Sequence, residues 1–187
     1  MIHVIDADDL REGYTGAGTF SQVVPLYPNG FKVTLFAIPG LCCRSLLKDL
    51  SVLPWIEIAA HGWKHPTPRE CERWTYEESI NYLHRIETRY GAWIVKGYKA
   101  PGWQISDGMY RALLERGWWV ADQTYNNFRR PKELPAYTLA VEEGLHKHHF
   151  HLGHLGGRNS NELAETGGFL EHLGDDSEFL FISEVVR

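Results

Sequence analysis

Apolar positions along the chain fall into two periods. Short runs rich in Val, Ile and aromatic residues, nearly continuous in apolar character, occur at 2–6 (IHVID), 31–38 (FKVTLFAI), 55–61 (WIEIAAH), 94–101 (IVKGYKAP), 118–124 (WWVADQT), 145–152 (LHKHHFHL) and 179–186 (FLFISEVV). Continuous rather than alternating runs of this length predict strands buried on both faces of a parallel sheet. Between them the period changes. The segment 75–90 opens with Thr75 and Glu78, a T-x-x-E capping box, carries Ile80, Leu83 and Ile86 at helical spacing and stops at Gly91. The segment 106–117 has Ser106 as N-cap, Ile105 and Tyr110 at the positions of a hydrophobic staple, and Gly117 as its stop. Weaker helical patterns cover 41–50 and 162–174, the second interrupted by Gly167–Gly168. Strand–helix alternation predicts an α/β fold. Seven strands in 187 residues predict a small distorted (β/α)7-type barrel with parallel strands and trimmed helices, read as a single domain over 1–187.

Composition narrows the function more than the fold. Net charge is −5 with acidic and basic residues interspersed, which argues against nucleic-acid binding. No apolar run approaches the ~18–20 residues of a membrane span, so no membrane insertion is expected. No basic segment and apolar stretch of signal-peptide type opens the chain, and three cysteines, two adjacent (Cys42, Cys43, Cys71), do not make a disulfide framework. Together these predict a cytoplasmic, reducing location. Oligomeric state is not legible.

In a parallel barrel the C-terminal strand ends share one rim, where the chemistry sits. Here those ends carry Asp6, Asp8 and Asp9, then His61 and His65, Lys99, Asp122, and the cluster His146, His148, His149, His151 and His154. Three aspartates in four positions repel one another unless a cation lies between them. His61 and His65, four apart around Gly62 and before Pro66, suit a turn aiming two neutral imidazoles inward, which fits Zn, Fe, Ni or Co. One Asp added to two His leaves coordination positions open, as a catalytic metal requires. Strand alternation places His149 and His151 on one face and His146 and His148 on the other. In KAPGW, Pro101 and Gly102 favour a turn whose N–H could face an oxyanion, with Lys99 pairing a carboxylate. Each feature also has a structural reading: a solvated turn for the aspartates, a surface loop for the histidines, core for Trp63 and Trp103.

Taken in order, these segments resemble the polysaccharide deacetylases, carbohydrate esterase family four. IDADDL is similar to that family's T-F-D-D-G motif, HGWKHP to H-[ST]-x-x-H, YKAPGW to R-x-P-x-[GY], ADQTYN to D-x-x-x-W and HFHLGH to L-x-L-x-H. The departures are Gly62 for Ser or Thr, Lys99 for Arg, Asn126 for Trp, and an ambiguous last motif around Gly153 and Leu155. The resemblance implies hydrolytic removal of an acetyl group from an N- or O-acetylated carbohydrate by attack of a metal-bound water. It implies Asp8 as general base, Asp9, His61 and His65 as metal ligands, and Lys99 in the place of the arginine that holds the base. Asp122 would tune the acid or the cation, and His151 or His154 would be the acid. Trp63, Pro101, Gly102, Trp103 and Tyr125 would line the substrate. The implied cofactor is a divalent transition metal, Zn foremost, with Co, Ni, Mn or Fe as alternatives. Three other readings share parts of this pattern: an allantoinase-like amidase acting on a non-sugar C–N bond, a non-catalytic carbohydrate-binding relative, and an iron(II) oxygenase with a two-His, one-Asp triad. The order of the motifs disfavours the last.

Overall fold

The structure, a computed structural model, describes residues 1–12, 31–123, 130–139, 144–152 and 177–186. The predicted helix at 162–174 and the residues Tyr125, Asn126, Gly153, His154 and Leu155 lie outside them. Among the described residues eight strands form one sheet: β1 Ile2–Leu10, β2 Val33–Ala37, β3 Ile56–His61, β4 Gly97–Lys99, β5 Trp119–Asp122, β6 Ala136–Thr138, β7 Leu145–His151 and β8 Glu178–Leu180. The order is β6-β5-β4-β3-β2-β1-β7, every pairing parallel, and β8 pairs with Ile2–Val4 of β1. The two ends of this row meet: Lys147 of β7 donates to the Thr138 carbonyl of β6 and its ammonium lies 4.7 Å from the Tyr137 ring centroid. Among the described residues, side chains rather than a backbone ladder therefore close the seam of a small distorted barrel.

Alternation along each strand divides the core in two. Ile5 and Ala7, Val33 and Leu35, Ile58 and Ala60, Tyr98, Val120 and Phe150 face outward and pack in the main core with the helices. Those helices are α1 Arg44–Ser51, α2 Tyr76–Tyr90 and α3 Asp107–Glu115. Their caps are the expected ones: Thr75 and Glu78 form a full capping box on α2, and the Ser106 hydroxyl accepts from Met109 N–H at 3.1 Å on α3. The opposite faces carry a smaller apolar cluster of Val4, Phe36, Ala59, Trp119, Ala121, Tyr137 and Ile182. Gly97 exists for this inner layer. A Cβ there would lie 2.0 Å from the Trp119 ring, so only glycine lets the indole fill the barrel.

Two segments differ from the sequence expectation. The run 179–186 is strand only to Leu180. It then turns into the short helix α4, Ile182–Val185, because Glu184 caps the Phe181 N–H at 2.7 Å and the Thr34 hydroxyl accepts from Ile182 N–H at 3.1 Å. This plugs the lower end of the barrel with Ile182. Strand β6, three residues long and preceded by Pro135, carries too little pattern to be legible in sequence. Among the described residues no helix is long and apolar enough to cross a membrane.

On the outer face of β1 and β7, His3 stacks on His146, His148 and Phe179 with ring centroids 5.1–5.4 Å apart, and His3 Nδ1 lies 3.1 Å from His148 Nε2. Burial, with the neighbouring imidazoles, lowers His3 and takes His148 to about 4. Both rings are therefore neutral in the folded protein at pH values where an unfolded chain protonates them. Their stabilising contribution is complete above the ordinary imidazole value near 6.5. It is lost as pH falls from there toward about 4. The melting temperature is expected to drop by roughly 3–6 °C between pH 7.5 and pH 5, with His148→Gln flattening that dependence.

Candidate metal centre

The upper half of the barrel interior changes from apolar to charged. Continuing the inward positions upward from Val4 and Ala59 brings Asp6 and Asp8 on β1 and His61 on β3. Lys99 on β4 and His149 on β7 face the same interior. Register carries this across the sheet: Asp6 lies opposite His149, Asp8 opposite His151, and His61 opposite Lys99.

Alternation alone would send Asp9 away from Asp8. The strand solves this with a bulge. Ala7 pairs with Leu35 but Leu10 pairs with Ala37, so one extra residue is inserted on β1, and Asp9 takes φ 67°. Asp9, His65 and Trp103 are the non-glycine residues of positive φ among the described residues. All three belong to this rim. Non-glycine side chains in that region cost on the order of 1 kcal/mol or more and persist where surrounding contacts over-determine them.

Asp9, His61 and His65 come together. Asp9 Oδ1 lies 3.9 Å from His61 Nε2 and 3.7 Å from His65 Nε2. One ligand atom from each falls within 4.8 Å of the others. His61 Nδ1–H donates to the Lys99 carbonyl at 3.0 Å, which turns the Nε2 lone pair toward Asp9. Burial lowers the His61 pKa despite Asp8 and Asp9 nearby, so the ring is neutral. A neutral imidazole fixed by a backbone carbonyl, beside a second imidazole and a carboxylate, is the donor set of a transition-metal site with open positions. The three residues fit a divalent ion, and Zn, Co, Ni, Mn and Fe all satisfy this chemistry.

Around them is a charge network buried in the barrel. Lys99, fully buried, places its ammonium 2.6 Å from Asp6 Oδ2 and 2.8 Å from Asp8 Oδ1. It lies 4.2 Å from the Trp103 ring centroid and 4.8 Å from that of Phe36. His149 Nδ1–H donates to Asp6 Oδ2 at 2.8 Å, and His149 Nε2 is 3.7 Å from Asp8 Oδ2. Burial acts to raise both carboxyls, but Lys99 first, with His149 (and for Asp8 also His61), outweighs it, and both stay below the ordinary carboxylate range. For His149 burial acts downward, and the Asp6 and Asp8 charges overcome it and raise the ring. His151, whose ring centroid is 4.8 Å from that of His149, is lowered by burial.

Placement of the other sequence candidates is uneven. Trp103 meets the network through Lys99 and lies edge-on to His149 at 5.8 Å. Pro101 is buried, and Gly102 (φ 57°) packs on Pro68 so closely that a Cβ would lie 2.3 Å from the Pro68 carbonyl oxygen. Trp63 turns toward α2: its ring is edge-on to Tyr82 at 6.3 Å, the Arg85 guanidinium covers it at 4.8 Å, and it lines a cavity of about 360 Å³ with Trp74 and Asn81. Asp122 follows the inward Ala121 and is engaged by Arg130 at 3.4 Å, by Thr138 at 3.1 Å and by Tyr110 of α3; burial raises its pKa despite Arg130.

Comparison with solved structures bears on the fold that carries this arrangement. A carbohydrate esterase family four domain of a multidomain xylanase from the hindgut metagenome of Trinervitermes trinervoides superposes with TM-score 0.63 and 18% identity, covering 98% of this chain and 88% of that one. A family 4 acetyl xylan esterase from Clostridium thermocellum, in complex with a cobalt ion, gives TM-score 0.64 and 12% identity over 97% and 89%. A family four pseudoenzyme from Bacillus anthracis gives 0.62 and 15% over 98% and 64%. No protein-family profile and no curated protein matches the chain. The fold is that of the family-four carbohydrate esterases.

On this fold two residues take roles that the motifs do not assign to them. His149 is one; its position on the same face of β7 as His151 is readable from alternation, but its pairing with Asp6 needs the register. Glu70 is the other. Its carboxylate accepts from the backbone N–H of Trp63 (2.9 Å), Lys64 (3.0 Å) and His65 (2.9 Å), gathering the loop that carries His65. Gly62 makes this possible: it has φ +58°, and a Cβ would lie 2.3 Å from Glu70 Oε2. The loop is thus braced by a carboxylate from outside instead of by a hydroxyl at position 62. Glu70→Ala is expected to weaken metal binding about 10–100-fold, read by chelator competition, with Glu70→Gln keeping part of the affinity.

Proposed function

We propose that this protein is a divalent-metal-dependent hydrolase that removes an acetyl group from an N- or O-acetylated sugar or polysaccharide. The observation that carries the reading is the convergence of Asp9, His61 and His65 at the barrel rim with the ionised carboxylate of Asp8 beside them. Asp9, His61 and His65 would hold the ion. An ion held there supplies Lewis acidity toward an acyl oxygen and a water acidified toward neutral pH. Asp8 takes the proton of the attacking water. Its pKa below the ordinary range keeps it ionised throughout neutral pH, and Lys99 fixes its orientation through Oδ1. His151 or His154 hands a proton to the leaving amine or alcohol. Trp103 forms a wall against which a pyranose ring can stack, and Gly102 N–H and Tyr125 complete the acyl and sugar contacts. Asp122, through Arg130, acts on this rim from the helix side.

The decisive experiment loads the protein with Zn or Co and screens acetate release over acetylated xylan, N-acetylglucosamine oligomers and small amides. His61→Ala is expected to lose bound metal and acetate release together, since the remaining Asp9 and His65 make a poor site. Normal metal content in that variant, measured by elemental analysis, overturns the ligand assignment. A second reading comes from the Bacillus anthracis pseudoenzyme, which shares the fold: a protein that binds carbohydrate without hydrolysing it. Sugar binding with full metal occupancy and no acetate release selects it. Release of a carboxylate from non-sugar amides alone selects the amidase reading.

A further inference from the structure

A second trio of the same composition adjoins the first. Asp8, His149 and His151 each offer a ligand atom within 4.8 Å of the others, as Asp9, His61 and His65 do. The spread is equivalent: Asp8 Oδ2 to His149 Nε2 is 3.7 Å, the same as Asp9 Oδ1 to His65 Nε2. Bonds of about 2.0–2.2 Å from a tetrahedral ion leave its ligand atoms about 3.3–3.6 Å apart, so a small inward movement closes either group on a cation.

Two observations mark the second trio as more than proximity. His149 Nε2 is buried and makes no hydrogen bond among the described residues, an unfavourable state for a polar atom unless something else takes its lone pair. Its other nitrogen donates to the Asp6 carboxylate at 2.8 Å, the carboxylate–histidine arrangement that orients a metal ligand. The first site has the equivalent brace, from His61 Nδ1 to the Lys99 carbonyl. Lys99 occupies only Oδ1 of Asp8 and leaves Oδ2 facing His149. Among the described residues the other histidine cluster, His3, His146 and His148, does not gather one ligand atom from each ring within 4.8 Å; its close approach is pairwise, His3 Nδ1 to His148 Nε2 at 3.1 Å.

We propose that Asp8, His149 and His151 form a second, weaker site for a divalent transition metal, and that filling it inhibits the enzyme because the general base becomes a ligand. The inhibition rests on the reading of Asp8 as that base; the site itself does not. Weakness follows from charge. The Lys99 ammonium is 2.8 Å from the shared carboxylate, and an ion at Asp9 adds a further positive charge at the adjacent residue. The second site is expected to bind at least about tenfold more weakly than the first.

Equilibrium dialysis of the full chain against Zn²⁺, followed by elemental analysis, is expected to show two equivalents in sequential steps. His149→Ala and His151→Gln should each leave only the tight one, while Asp9→Asn should remove the tight one and leave the weak. Circular dichroism on each variant separates lost ligation from lost folding, and the two variants on β7 guard against one that fails to fold. Acetate release should rise to one equivalent and fall as the second fills. A single equivalent in the wild type, or two equivalents retained in both folded β7 variants, overturns the proposal. If two equivalents bind as described but no substrate releases acetate, the site stands and the hydrolase reading falls. If one equivalent binds and supports acetate release without inhibition at excess Zn²⁺, the hydrolase reading stands and the second site falls.

Discussion

On the proposed function, Asp8→Asn is expected to lower kcat for acetate release by about 10²–10⁴-fold while the metal held by Asp9, His61 and His65 is retained. The separation of the two readouts is the point. Asp9, His61 and His65 are untouched by the change, so metal content at one equivalent should match the wild type. On the proposed function, what disappears is the proton acceptor. Asparagine keeps the shape and can still receive the Lys99 ammonium at its carbonyl oxygen, but it cannot take a proton from water. Asp6 is 2.6 Å from the same ammonium and tied to His149, so it is held away from this task by its own partners. Loss of metal in Asp8→Asn, measured by elemental analysis, would move Asp8 from base to ligand. Unchanged kcat would remove it from the mechanism.

Lys99→Met destabilises the fold by about 3–5 kcal/mol, the scale for breaking a buried ion pair by removing one partner. In a chain of this size that corresponds to a fall of roughly 6–20 °C in melting temperature. Two carboxylates, Asp6 and Asp8, share this one ammonium in the dry interior of the barrel, and among the described residues only the His149 N–H beside it reaches the Asp6 oxygen it holds. Removing Lys99 leaves their mutual repulsion and their lost hydration without compensation. The sign can be checked by a second substitution. Lys99→Met with Asp6→Asn should recover part of the loss, because one of the two stranded charges is gone. Equal destabilisation of the single and double variants, from denaturant melts, would show that lost packing against Phe36 and Trp103 sets the cost instead.

The same network explains how a lysine can stand where the resemblance expects an arginine. A guanidinium holds one carboxylate with two parallel bonds, and an ammonium cannot. This chain has Asp6 two positions before Asp8, so Lys99 is fixed between two carboxylates and cannot swing off either. The three aspartates that look like a liability in sequence are divided: Asp6 anchors Lys99 and His149, Asp8 takes Lys99 at Oδ1 and turns Oδ2 toward His149, and Asp9 turns to the histidine pair.

Much of this is legible in the sequence. Apolar runs in continuous blocks fixed the strands, because a strand covered on both faces has no room for polar residues. Capping chemistry fixed the start of α2 and α3, because unpaired N–H groups at a helix end need acceptors close in sequence. The candidates Asp8, Asp9, His61, His65 and Lys99 were legible because parallel strands place their C-terminal ends on one rim. Three things depended on the tertiary structure. The bulge that aims Asp9 beside Asp8 is a matter of strand register, which pairs residues far apart in the chain. The partnership of His149 with Asp6 joins positions 143 residues apart, and alternation alone says which face His149 takes but not what it meets there. Glu70 caps the His65 loop by folding back on backbone N–H groups, a role that leaves no periodic trace. Local spacing determines which side chains a strand end offers; only the closed sheet decides which of them touch.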